Sequence, residues 1–228
     1  MIKTVLLDLD DTILDFKACE KQALSAALTF CGISFVGSDL EEYSKINDGM
    51  WKMLEKGEIT REELKTKRFE VFLSRYSASI SASSFADVYM EKLSQTGVLI
   101  DGARDLLETL YQKYALYAVT NGYEYTQKGR IKSADIGKYF KRVFISQNIG
   151  AVKPKKEFFD YCVKYIPDFS LETTVLIGDS PTSDISGGNA YGIFTIRYNP
   201  LHLPNPADAL PNREVSSLSE IPAILASL

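Results

Sequence analysis

Four polar clusters follow apolar runs in this 228-residue chain: DLDDT (Asp8 to Thr12), TNG (Thr120 to Gly122), VKP (Val152 to Pro154) and GDSPTSD (Gly178 to Asp184). Carboxylates set as close as Asp8, Asp10 and Asp11 repel one another and lose hydration on burial, so their grouping asks for a compensating charge. Taken singly the clusters are ambiguous, because Thr-Asn-Gly after a strand is an ordinary turn and Lys153 an ordinary loop charge. Taken together they have one use. Asp8, Asp10 and Asp179 offer oxygen ligands to a hard cation, a donor set suited to Mg²⁺, which keeps several waters and shares a substrate phosphate. Thr120 and Lys153 offer a hydroxyl donor and a cation to that phosphate.

The elements that must position these residues are readable from periodicity. Short β-branched runs recur as TVLLDL, ALYAVT, RVFIS, TVLIGD and FTIRY, most of them separated by amphipathic stretches such as GARDLLETLYQKY and KPKKEFFDYCVKYI. Strands alternating with helices predict a doubly wound parallel α/β sheet, a Rossmann-like core. In such a sheet ligands bind beyond the carboxyl ends of the strands, where these clusters fall. Pro154 suits a first helical turn, so Lys153 is expected in extended geometry at the sheet edge.

Between Asp15 and about Gly97 no comparable strand run appears. Tyr43, Asn47, Met50, Trp51 and Leu54 share one helical face, Gly57 interrupts, and Thr60 with Glu63 forms a capping-box signature that starts another helix through Phe72. The expected organisation is a core domain of residues 1–15 and 97–228, with a helical cap of residues 16–96 inserted after the first strand. PNPADALPN reads as a loop, and Ser217 with Glu220 as the cap of a terminal helix.

The four motifs, in this order, resemble those of the haloacid dehalogenase superfamily of phosphohydrolases: an apolar strand with DxDxT, a Ser/Thr after a second strand, a Lys, and an acidic pair. The resemblance spans Asp8 to Asp184. It implies that Asp8 is the nucleophile that becomes an aspartyl phosphate and that Asp10 protonates the leaving alkoxide, then activates water. It also implies that Thr120, with loop amides near Asn121 and Gly122, binds the phosphoryl oxygens, and that Lys153 offsets the gathered charge. Asp179 would ligate Mg²⁺ directly, Asp184 would act behind it through water or Lys153, and Thr12 would orient the loop. Asp11, where many relatives carry Gly, is expected to be solvated or capping.

The stretches YSKINDGMWKMLEKGEITREELKTKRFEVF and VTNGYEYTQKGRI resemble the bacterial pyrimidine 5′-nucleotidase branch. That resemblance implies a nucleoside monophosphate as the phosphate monoester, with a mobile cap excluding water and reading the leaving group. Aromatic stripes at helical spacing ordinarily pack a bundle core, the reading adopted for Tyr43 and Phe69. Trp51, Asn47 and Arg68 are candidate readers of the base or sugar. Two alternatives stand beside this one: a sugar-phosphate or phosphoglycolate-type phosphatase or phosphomutase of the same superfamily, and a non-hydrolytic receiver-like regulator phosphorylated at Asp8.

Composition bounds the rest. With 45% hydrophobic and 25% charged residues and a formal charge of −4, the chain has the balance of a folded protein and no electrostatic footprint for a nucleic acid polymer or an anionic membrane. Cys19, Cys31 and Cys162 are widely spaced and His202 stands alone, a pattern that supports neither a disulfide framework nor a zinc site. With no leader-like basic region ahead of its first apolar run, the chain is expected to be cytoplasmic, a monomer or weak homodimer.

Overall fold

The structure is a computed structural model that describes residues 1–76 and 79–228. Strands covered on both faces need nearly continuous apolar sequence. The five runs with that character form β1 (Thr4–Leu7), β2 (Ala115–Thr120), β3 (Arg142–Ile145), β4 (Thr174–Gly178) and β5 (Phe194–Tyr198). A strand that the sequence reading missed, β6 (Arg213–Val215), joins them in a six-stranded sheet ordered β3-β2-β1-β4-β5-β6. Two of its three residues are exposed, so it carries too little pattern to be recognised. Every pairing is parallel. The order runs one way from β1 through β2 to β3 and the other way through β4, which opens a crevice beyond the carboxyl ends of β1 and its neighbours.

The helices are α1 (Phe16–Phe30), α2 (Gly37–Lys56), α3 (Arg61–Leu73), α4 (Ala82–Ser94), α5 (Ala103–Tyr111), α6 (Glu124–Ser133), α7 (Ser146–Ile149), α8 (Lys156–Val163), α9 (Ser186–Tyr191) and α10 (Ile221–Ser227). The chain forms two compact units. A sheet unit comprises Met1–Asp15, Val98–Glu124 and Ala134–Leu228, and a helical unit comprises Phe16–Gly97 and Tyr125–Ser133.

In the sheet unit one face is packed by Leu6, Tyr117, Val119, Phe144, Phe158 and Phe159, all buried. The segments that leave and re-enter this unit pair with one another: the Asp15 amide donates to Val98 O at 3.0 Å, and the Ile100 amide to Ile13 O at 3.0 Å. Helix α8 starts at Lys156, two residues after Pro154, because residues 153–155 form a turn closed by the Lys155 amide on Val152 O at 2.9 Å. The expectation that Pro154 opens the helix is therefore corrected. Ser217 and Glu220 form the capping box expected at the terminal helix, through a short 3₁₀ turn that leads into α10.

The helical unit follows its caps. Helix α2 ends where Gly57 adopts φ +76°, a left-handed conformation that glycine takes at least cost, and its amide reaches Leu54 O at 2.9 Å. Helix α3 starts at the Thr60/Glu63 capping box. Tyr43 stacks on Phe69 with centroids 5.2 Å apart, and Phe72, Phe85 and Tyr89 complete a buried aromatic core, which is the packing role adopted for Tyr43 and Phe69. Helix α6 lies against the end of α4, where Gly129 occupies a spot beside the Ser94 backbone that no Cβ would fit.

Candidate active site

Each site residue is placed by the end of a strand. The Asp8 amide continues the β1–β4 ladder by donating to Ile177 O at 2.9 Å, which locks the Asp8 backbone beside β4. Thr120 is the last residue of β2 and is buried; its Oγ1 accepts the Gly122 amide at 3.1 Å, an ST turn that folds the TNG loop back over the strand end. Asn121 grips the backbone of Lys153 from both sides, since its Oδ1 accepts the Lys153 amide at 2.9 Å and its Nδ2 donates to Lys153 O at 3.0 Å. That clamp sets where the Lys153 side chain starts.

The ammonium of Lys153, 1% exposed, spends its protons on three acceptors: Asp8 Oδ1 at 2.6 Å, Asp184 Oδ1 at 2.6 Å and Val119 O at 3.0 Å. Carboxylate oxygens of Asp8, Asp179 and Asp184 all lie within 4.8 Å of one another. Three carboxylates therefore face one ammonium, and the local charge is unbalanced. Burial, above all, pushes the Asp8 carboxyl well above its ordinary range; Asp184 and Asp10 add to the rise, and Lys153 opposes it without cancelling it. Asp179 keeps some solvent access, yet desolvation and the charges of Asp8, Asp184 and Asp11 raise it as well. Burial alone would depress the Lys153 ammonium, but Asp184 and Asp8 outweigh it and hold the pKa above its usual value.

A hard divalent cation is the group this donor set fits. It would relieve the residual repulsion among oxygens that desolvation otherwise drives toward protonation. Asp10 stands outside the 4.8 Å trio and Asp184 inside it, beside Lys153. Asp10 is half-buried, and its charge is felt at Asp8. Asp11, expected to be turned toward solvent or a cap, holds φ +57° and contributes to the rise at Asp179, so it belongs to the electrostatics of the site. Thr12 is fully buried, with an Oγ1 that has no hydrogen-bond partner among the described residues.

The sequence reading gave no role to Gly178 or Arg197. Gly178 is required because Asp184 lies against it so closely that any Cβ there would collide with the carboxylate. Arg197 on β5 is 3% exposed and donates from Nε to Asp179 O at 3.1 Å. Its one signal in the sequence was a charge inside the apolar run FTIRY.

The remaining candidates lie in the helical unit. Asn47 and Arg68 are buried and joined in a chain: Asn47 Nδ2 donates to Glu20 Oε1 at 2.8 Å and Arg68 Nη1 donates to Asn47 Oδ1 at 2.7 Å. Glu20, also missed, has its carboxyl raised chiefly by burial. Trp51 is half-exposed on α2.

Comparison with known proteins places these observations in a lineage. The family model for haloacid dehalogenase-like hydrolases matches residues 2–192. The chain is 40% identical to the pyrimidine 5′-nucleotidase PynA of Streptococcus pneumoniae over 96% of its own length and 93% of that protein. It is 26% identical to the pyrimidine 5′-nucleotidase YjjG of Escherichia coli, over 97% and 96%. It is 39% identical to the HAD-hydrolase YfnB of Bacillus subtilis, over 98% and 95%. The crystal structure of YfnB, described as bound to magnesium, superposes with a TM-score of 0.93 and covers 98% of each chain. A receiver-like regulator is thereby set aside, because the match is to hydrolases across the residues that carry every motif. The chain is a member of the haloacid dehalogenase-like hydrolase family.

Proposed function

We propose that this hydrolase is a Mg²⁺-dependent phosphatase that cleaves phosphate monoesters through an aspartyl phosphate on Asp8, and that its substrates are nucleoside monophosphates. The observation that carries the reading is the Lys153 ammonium held between Asp8 and Asp184 with Asp179 alongside, an array that neutralises an attacking carboxylate and an incoming phosphoryl group together.

In the first step an Asp8 oxygen forms a bond to phosphorus as the bond to the leaving oxygen breaks, and Asp10 delivers a proton to that oxygen. In the second, Asp10 takes a proton from water, the water oxygen bonds to phosphorus, and the Asp8–phosphorus bond breaks to release inorganic phosphate. The Thr120 hydroxyl and the loop amides near Asn121 and Gly122 that are not already spent on Thr120 hold the phosphoryl oxygens through both steps, while Lys153, whose protons go to Asp8, Asp184 and Val119 O, offsets their charge. Asp8, Asp10 and Asp179 are the proposed ligand residues, Asp10 through an oxygen other than those of its acid-base carboxyl, since that carboxyl stands outside the trio, with Asp184 supporting them through Lys153 and Thr12 shaping the loop. A bound Mg²⁺ supplies charge neutralisation at the phosphoryl oxygens.

The nucleotide assignment is supported by two relatives named pyrimidine 5′-nucleotidases, one of them 40% identical. Trp51 is the proposed reader of the base. Asn47 and Arg68, tied to each other and to Glu20, are proposed to hold helix α2, which carries Trp51, in register.

A panel of phosphate esters with Mg²⁺ tests the reading. dUMP, dTMP and UMP are expected to be hydrolysed with higher kcat/KM than hexose phosphates or phosphoglycolate, and EDTA is expected to stop turnover until Mg²⁺ is restored. A preference for sugar phosphates would overturn the nucleotide assignment, and full activity in EDTA the metal dependence.

A further inference from the structure

The peptide unit that follows Asp179 is held at both ends. Its carbonyl, Asp179 O, accepts from Arg197 Nε at 3.1 Å, and its amide, Ser180 N, donates to Asp184 Oδ2 at 3.2 Å. A peptide unit is planar, so fixing its oxygen and its nitrogen fixes the rotation about the bond joining the Asp179 Cα to its carbonyl. That rotation, with the strand preceding it, determines where the Asp179 side chain leaves the backbone.

Arg197 is itself immobilised. It lies opposite Gly178 in the β4–β5 register, and its Nη1 donates to Leu203 O at 3.0 Å and Asn205 Oδ1 at 2.9 Å. Glu214 Oε2, which accepts from Asn205 Nδ2 at 2.7 Å, approaches the same nitrogen at 3.6 Å. A guanidinium suits this task because its donors form a rigid planar fork, so anchoring one edge aims the other. Burying a charge is costly, and an aliphatic residue would fill a mid-sheet position more cheaply. Its retention beneath the GDSPTSD loop is explained by what Nε holds.

We propose that Arg197 is a positioning residue for Mg²⁺ binding, acting through the Asp179–Ser180 peptide to keep the Asp179 carboxylate aimed at Asp8. The proposal rests on the reading of Asp179 as a metal ligand. Groups that orient metal ligands from behind are commonly worth 10–100-fold in affinity, so removing this one is expected to weaken Mg²⁺ binding by about tenfold.

The test is calorimetric titration of the metal-free protein with Mg²⁺, without substrate, on wild type, R197M, R197K and N199A. Asn199 braces the same loop through both backbone groups of Leu203, so N199A measures the effect of loosening that loop with the Arg197 guanidinium retained. R197M is expected to bind Mg²⁺ about tenfold more weakly than wild type and N199A within about twofold of it, with R197K in between. In turnover assays, the Mg²⁺ concentration for half-activation of R197M should rise by the same factor while kcat at saturating Mg²⁺ stays within about threefold. If R197M does not fold, R197K decides: binding at least about threefold weaker than N199A supports the proposal, and binding equal to N199A overturns it. R197M binding within about twofold of wild type overturns it directly. A wild-type protein that takes up no Mg²⁺ contradicts the metal reading itself, a separate outcome.

Discussion

Replacing Lys153 by methionine removes the ammonium that bridges Asp8 and Asp184 while leaving a side chain of similar length. Both partners are buried, and each accepts the ammonium at 2.6 Å. Removing one member of a buried ionic cluster strands the charges left behind, at a cost of roughly 3–5 kcal/mol. For a chain of this size each kcal/mol lowers Tm by about 2–4 °C, so K153M should melt roughly 6–20 °C below wild type. The loss should depend on pH. Asp8 is raised above its ordinary value by burial even with Lys153 present, and deleting Lys153 removes a contribution that lowers it. A folded-state carboxyl raised above its unfolded value binds more protons than the unfolded chain, so stability falls as pH climbs between the two values. The deficit of K153M should therefore be larger at pH 8 than at pH 5.5. Adding D184N removes one of the stranded charges and should recover about half the loss at pH 8 without restoring turnover. Differential scanning calorimetry in EDTA at both pH values measures this. A deficit below about 1 kcal/mol at pH 8, or one that does not change with pH, would refute the charge balance described for this cluster.

Asn121→Ala should loosen the backbone of Lys153 by removing two hydrogen bonds, costing about 1–3 kcal/mol at roughly 0.5–1.5 kcal/mol each, with a drop in kcat larger than any change in KM; steady-state kinetics and urea unfolding check both. In the helical unit, the Glu63 pKa is lowered to about 2, first by its hydrogen bond with Lys67 and then by the Thr60 amide and hydroxyl that it caps. A depressed folded-state value contributes stability above the unfolded pKa that is lost as pH falls toward the folded one. The Tm gap between wild type and E63Q should accordingly be widest near neutral pH and narrow steadily between about pH 5 and 3. A gap that widens on acidification would contradict the capping role.

Local chemistry made much of this molecule legible. The runs that became β1 to β5 are almost wholly apolar because both faces of a parallel sheet are covered, and the Thr60/Glu63 and Ser217/Glu220 boxes announce helix starts through side chains three residues apart. Asp8, Lys153 and Asp179 are candidates by residue type and order, and Asp184 by the resemblance that the four motifs carry. What the sequence could not convey is long-range geometry. Asn121 read as a turn residue whose backbone amide could meet phosphate, and only the folded loop shows that its side-chain amide holds the backbone of Lys153, 32 positions away. Asp184 entered the carboxylate trio because Gly178 leaves it room, a relation with no local pattern. Strand β6 and the place of Tyr125–Ser133 in the helical unit were hidden for the same reason: each is decided by what it packs against.

The chemistry assigned to Asp8 can be tested by trapping. Borohydride added during turnover of a nucleoside monophosphate reduces an acyl phosphate to an alcohol, converting the modified aspartate to homoserine, which peptide mass spectrometry locates. Homoserine at position 8, dependent on both substrate and Mg²⁺, is the result expected here. An unmodified Asp8 in enzyme that is turning over, or modification at Asp10 in its place, would contradict the assignment of the attacking oxygen.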